Sequence, residues 1–326
     1  MRDSISKQYD IIKVFTTVLV VIGHATRMYT GKGVVIPFNS SCALEVISNI
    51  IYSFHMPLYM CVTGMVYGMC IDDFGKYNDT LNFIGNKAKR LLIPYIFFAF
   101  FYVAPVMVLF HFTQSSYLSF CLSEVISSNN ARHLWFIFTL FIIFVLFAVF
   151  RKNWQRVHWA IVLVLLAVLS WFSYLVPSVL GLNSVCKYTL YFYIGYVFNR
   201  YKEKLVVICK NPFVLIGLLA VCIVSYLYVP QQIPVVAVAA IGFVFGLVQY
   251  ISLSLCDTKI FQVAKKNGFG VFLFHPMIIY IIYYYLGGRD INPFLLCGLT
   301  IIVAYAISCL LTVAFRKLKL SLLIGE

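Results

Sequence analysis

The chain has 326 residues, of which 62% are apolar and only 11% carry a charge. That is too little polar surface to clothe a water-soluble globule of this size, so the sequence is that of an integral membrane protein. The formal net charge of +14 is spread over short loops rather than gathered on one soluble element, which sets nucleic acid aside as a partner and points to membrane topology.

At about 20 apolar residues per crossing, ten segments are expected to span a bilayer: 11–29, 43–70, 91–112, 133–150, 157–176, 188–199, 212–229, 234–255, 268–286 and 293–315. The sixth is short. The expected fold is therefore all-α, a single bundle of about ten transmembrane helices covering residues 1–326. A count of basic residues sets the orientation, because cytoplasmic loops carry an excess of Lys and Arg. With both termini cytoplasmic, 19 of the 25 Lys and Arg fall inside and 5 outside, while Lys13 lies within the first span. That first run continues past any plausible cleavage site, so it is expected to be retained.

The first span reads QYDIIKVFTTVLVVIGHATRMY, with His24 eleven positions after Lys13. Eleven helical steps turn the chain about 20° past three full turns and raise it about 16 Å. Lys13 and His24 therefore share a face at different depths. An ionisable group at lipid depth is a functional hypothesis by default, and neutral imidazole is a competent base toward a hydroxyl. The plain alternatives are a hydrogen-bonded core histidine and, for Lys13, an ion pair with Asp10 three residues before it.

Segment two contains SFHMPLYMCVTGMVYG. Pro57 bends this helix, either as a packing kink or so as to widen a polar cavity beside His24, Gly64 and Gly68 have small-xxx-small spacing, and His55 sits near mid-depth. Before segment three, NKAKRLLIPY puts Lys87 and Arg90 three apart, on one helix face. They are either topogenic charges or a clamp for the phosphates of an anionic cytosolic cofactor. RHLWF opens segment four with Arg132, His133 and Trp135 together; Trp135 suits an interfacial aromatic belt, and His133 falls in the same outer half as His24. In segment nine, NGFGVFLFHPMIIY sets His275 directly before Pro276, with packing and functional roles equally open. His111 and His158 lie at segment ends, where interfacial water suffices for them.

Several signatures are missing from the sequence: a phosphate-cradling P-loop, HExxH, GxSxG, and a carboxylate pair within a span. The ten cysteines show no CxxC pairing and read as packing thiols. No metal site is expected.

Taken in order, these motifs resemble the acyltransferase-3 family of bacterial multi-span membrane O-acyltransferases, close to its fucose-4-O-acetylase-like members. The Lys13 to His24 spacing, the basic pair in KAKRLLIPY, FHMPLYMCVTG, HLWF and GVFLFHPMI carry the resemblance along nearly the whole chain. It implies transfer of an acyl group, commonly acetyl from acetyl-CoA, to a hydroxyl of a glycan or lipid-linked saccharide. It also implies His24 as the catalytic histidine and Lys13, Lys87 and Arg90 on the donor side, with lysine at 13 and 87 where arginine is commoner and a bidentate fork is lost. His55, His133 and Trp135 are the expected acceptor-side residues. The expected setting is the cytoplasmic (inner) membrane, with polysaccharide-synthesis proteins as partners. The rival class is a transporter or exporter of a saccharide or its lipid carrier, using a similar polar cavity without bond-making.

Overall fold

The computed structural model describes residues 2–122, 132–228 and 234–326, and among these all regular structure is helical, with no strand. Each of the ten apolar segments coincides with a helix over most of its length, although Val229, the end of the seventh, lies outside the described residues. The helices are α1 (Arg2–Thr26), α2 (Cys42–Gly68), α3 (Thr80–Phe98), α4 (Ala104–Leu109), α5 (Tyr117–Phe120), α6 (Trp135–Val149) and α7 (Arg151–Arg156). There follow α8 (Trp159–Trp171), α9 (Leu182–Arg200), α10 (Lys202–Cys209), α11 (Pro212–Tyr228), α12 (Val235–Val248), α13 (Lys259–Leu286) and α14 (Pro293–Lys317).

Among the described residues, six helical runs are long and apolar enough to cross a membrane: Asp3–Thr30, Cys42–Asp73, Thr80–Leu109, Arg132–Val149, Lys259–Leu286 and Pro293–Lys317. The pair α10 and α11, bent by 85°, would add a seventh as one broken span. Helices α8 and α12 are apolar but only 13 and 14 residues long. Helix α9 is long enough, at 19 residues. Its polar content reflects its place inside the protein, where Thr189, Tyr191, Phe192, Tyr193, Tyr196 and Asn199 are all buried, so it needs no lipid-facing apolar surface.

Two helices start well before their apolar segments. Helix α1 begins at Arg2 rather than residue 11, and α13 at Lys259 rather than 268. Polar residues extend a helix as well as apolar ones do, and here ion pairs hold the extensions: Lys7 with Asp257 at 2.8 Å and Lys265 with Asp10 at 2.6 Å.

The chain clusters into two compact units built from interleaved stretches: residues 1–16, 53–87 and 139–265 in one, and 17–52, 88–138 and 266–326 in the other. The first is organised by the crossing of α2 and α9. Gly64 lies against the Phe192 carbonyl, Gly195 against the Cys61 carbonyl, and Gly68 against Tyr196 and Asn199. The small-residue spacing read in segment two thus finds its partner helix. Around the crossing sits an aromatic core in which Tyr67 lies within 6.3 Å, centroid to centroid, of Phe144, Phe147, Phe192 and Tyr196. Loops are tied by the Lys202–Asp73 ion pair and by the Arg151 guanidinium donating to the Tyr77 carbonyl. These ties join segments that the charge count assigns to the same side.

In the second unit, Arg316 near the end of α14 donates to Asn267 Oδ1, the Lys266 carbonyl and the Glu326 carboxylate. At the opposite ends of these helices, the Phe38 amide donates to Gly287 O at 2.7 Å and Asn39 Nδ2 to Asp290 Oδ1 at 2.8 Å.

Candidate active site

Pro276 shapes the centre of the second unit. Lacking an N–H, it gives nothing to the carbonyl four residues back. Side-chain donors gather on the carbonyls of the preceding turn of α13. His275 Nδ1 donates to Val271 O at 2.8 Å, His133 Nε2 to Leu273 O at 3.2 Å and the Tyr102 hydroxyl to Phe274 O at 2.9 Å. A carbonyl can only accept, so the nitrogen facing it carries the hydrogen, and both rings are assigned these tautomers on that ground. His133 Nδ1 is then an imine nitrogen, buried and without a hydrogen-bond partner.

Arg132, immediately before His133, has a backbone φ of 49°. This left-handed conformation costs a non-glycine residue about 1 kcal/mol or more, and it opens the turn from which His133 projects.

The third imidazole comes from the other end of the sequence. His24 lies in the last turn of α1, with its ring 5.0 Å from His275 and 6.4 Å from His133, while His133 and His275 are 6.0 Å apart. Gly23 permits this. A Cβ there would come within 3.1 Å of Ile51, so the bare backbone lets α1 lie close on α2 and brings His24 to 6.3 Å from the Tyr52 ring, over which the Arg27 guanidinium rests at 4.6 Å. Of the three histidines, His275 is fully enclosed and His133 is 4% exposed. His24 is half-buried. It is the one member of the cluster that another molecule can reach, backed by two enclosed rings of fixed tautomer.

The cluster unites His24 with His133 from the expected set and adds His275, which sequence reading left open between packing and function. Tyr52, Arg27 and Tyr102 were not singled out. Arg27 was legible, since it follows His24 by three and so shares its face; nothing local marks Tyr52 or Tyr102. Trp135 is half-buried in the same unit, its ring 6.0 Å from that of Phe136. His55, buried at 3% exposure, belongs to the first unit, as do Lys13 and Lys87. Asp10, the acid nearest Lys13 in sequence, is engaged by Lys265.

The ammonium of Lys87 sits in an aromatic box, 4.2 Å from the centroid of Phe144, 5.4 Å from Phe83 and 5.6 Å from Tyr77. The ring faces attract the ammonium through their quadrupoles. Arg90, one turn further along α3 and exposed, donates its Nε–H to Gly325 O at 3.0 Å.

A family model described as an acyltransferase domain matches residues 6–313. The chain belongs to the acyltransferase-3 family. The chain is also similar to the nodulation protein NolL of Sinorhizobium fredii (strain NBRC 101917 / NGR234), at 27% identity over 202 residues. The match takes in 60% of this chain and 49% of NolL, so the chain spans about half the length of that curated relative. No solved structure matches it. Membership, together with the long apolar helices, makes this a multi-pass membrane protein of the acyltransferase-3 family.

Proposed function

We propose that the protein is an O-acyltransferase of the cytoplasmic membrane, a single domain of about ten spans with both termini inside. It moves an acyl group, most simply acetyl from acetyl-CoA, to a hydroxyl of a cell-surface polysaccharide or lipid-linked saccharide. The observation that carries this reading is the reachable His24 imidazole, set against the enclosed rings of His133 and His275.

In the proposed reaction, the neutral His24 ring takes the proton of the acceptor hydroxyl as its oxygen attacks the thioester carbonyl. The tetrahedral intermediate collapses by breaking the carbon–sulfur bond. The His24 imidazolium returns the proton to the departing sulfur, leaving an ester and a free thiol. His133, Trp135 and His55 are the acceptor-side residues of this reading. Lys13, Lys87 and Arg90 serve the donor, whose phosphates are the natural partners of basic side chains. Proteins of polysaccharide synthesis supply the acceptor.

The test is mass spectrometry of surface polysaccharide from cells carrying the wild-type protein or His24→Ala. The mass increment of an acetyl group should be present with the first and lost with the second. Its persistence in the variant would refute the mechanism. A kinetic split separates the donor side: Lys13→Met should raise the donor KM several-fold with little change in kcat, because a charge contact made equally in ground and transition states is uniform binding. A fall in kcat alone would remove Lys13 from donor binding.

A further inference from the structure

One cavity in the first unit has no part in the chemistry above. Its volume is about 430 Å³, and it is lined by Asp72 and Asp73 at the end of α2 and by residues 199–204, where α9 gives way to α10. That volume falls in the usual range for small-ligand sites. The deepest lining residue is Asn199, only 1% exposed. The Tyr9 hydroxyl donates to its Oδ1 at 3.0 Å, which fixes the orientation of the amide. Its Nδ2 is buried and has no hydrogen-bond partner. A donor shielded from water and left without an acceptor is costly, and such groups in native proteins call for an explanation.

The exposed rim carries both signs of charge. Lys202 is engaged by Asp73, leaving Asp72 and Glu203 against Arg200 and Lys204, with the Tyr201 ring beside them. A bare anion would meet two carboxylates, and a bare cation two basic side chains. A ligand that suits the wall must offer an acceptor to Asn199, a donor to a carboxylate, a flat face to tyrosine and negative charge to Arg200 and Lys204. An adenine nucleotide has all four: a ring nitrogen, an exocyclic amine, a π face and phosphates.

We infer that this cavity binds an adenine nucleotide, with Asn199 Nδ2 donating to the base, Asp72 accepting from its amine and Arg200 and Lys204 meeting the phosphates.

The experiment is calorimetric titration of the purified, detergent-solubilised protein with 3′,5′-ADP, and separately with inorganic phosphate. Wild type should bind the nucleotide and not phosphate alone. Asn199→Leu and Lys204→Glu should each weaken binding about tenfold, the effect of losing one hydrogen bond or charge contact, and His24→Ala should bind as wild type does. Lys204 is exposed, so Lys204→Glu tests the site even if Asn199→Leu, which loses the Tyr9 contact, fails to fold. Unchanged affinity in Lys204→Glu, or a wild type that binds 3′,5′-ADP no better than phosphate, overturns the site.

Discussion

His24→Ala should reduce acyl transfer by about 10²–10⁴-fold, the usual contribution of a positioned general base. The loss should appear in kcat, because His24 acts on the proton in motion and not on the donor's nucleotide. His24→Gln should be nearly as inactive: it keeps a polar side chain of similar reach but cannot take the proton. The half-buried position of His24 makes both variants tolerable to the fold, and thermal unfolding should stay close to that of wild type. The enclosed rings predict a graded pattern. His275→Asn keeps a donor for the Val271 carbonyl but shortens the side chain beside His24, so it should lower kcat less than His24→Ala does. Were His24→Ala to retain wild-type kcat with purified donor and acceptor, the cluster would be a packing feature and the active centre would lie elsewhere.

The parts of this site that the sequence disclosed are those with a local signal. His24 stands out because an ionisable side chain inside an apolar run is expensive and so has a reason to be there. The helix-breaking Pro276 beside His275 marks a disturbed turn in the same way. What sequence could not disclose is convergence. The first helix, the turn at Arg132–Leu134 and the stretch of α13 around Pro276 meet through packing at Gly23 and through side chains donating to the carbonyls of residues 271, 273 and 274, and none of these contacts leaves a periodicity. Asn199 is the same case. Its neighbours in sequence suggest an ordinary helix end, and only the Tyr9 contact across the fold shows which way the amide faces.

The fold was legible where lipid selects composition and less so where protein does. Helix α14, largely outward-facing, reads as one unbroken apolar run, with large exposed side chains at Leu295, Ile302 and Leu310. Helix α9 is walled by protein, so selection acts on its shape and not on its hydropathy, and the sixth segment looked too short, at 188–199 against the observed Leu182–Arg200. The early starts of α1 and α13 have a related cause, since the stretches before their apolar segments carry Lys7, Asp10 and Lys265 in ion pairs that an apolarity window passes over.

Shape selection in α9 leads to the second large effect, on stability. A methyl group at Gly195 would press into the Cys61 carbonyl and the Met65 amide, and one at Gly64 into the Phe192 carbonyl. Each glycine faces backbone of the opposite helix, which cannot swing aside as a side chain could. Gly195→Ala and Gly64→Ala should therefore force α2 and α9 apart. Overpacking of this kind costs about 1–3 kcal/mol in ordinary cores, and contact with backbone places these sites at or above the upper end. Gly195→Leu should leave no folded protein in the membrane. Gly217 supplies the internal control: it too lies in a helix, α11, but a Cβ there would meet nothing within 4 Å. Gly217→Ala should be neutral or should gain up to about 1 kcal/mol from helix propensity. Unfolding midpoints of the detergent-solubilised variants decide the matter. The expected order is Gly217→Ala at or above wild type and Gly64→Ala and Gly195→Ala well below it; equal midpoints would mean that the two helices do not cross at these glycines. Because Tyr9 reaches Asn199 on the same stretch of α9, the alanine variants should also lose affinity for 3′,5′-ADP, coupling the packing of α2 on α9 to the nucleotide cavity.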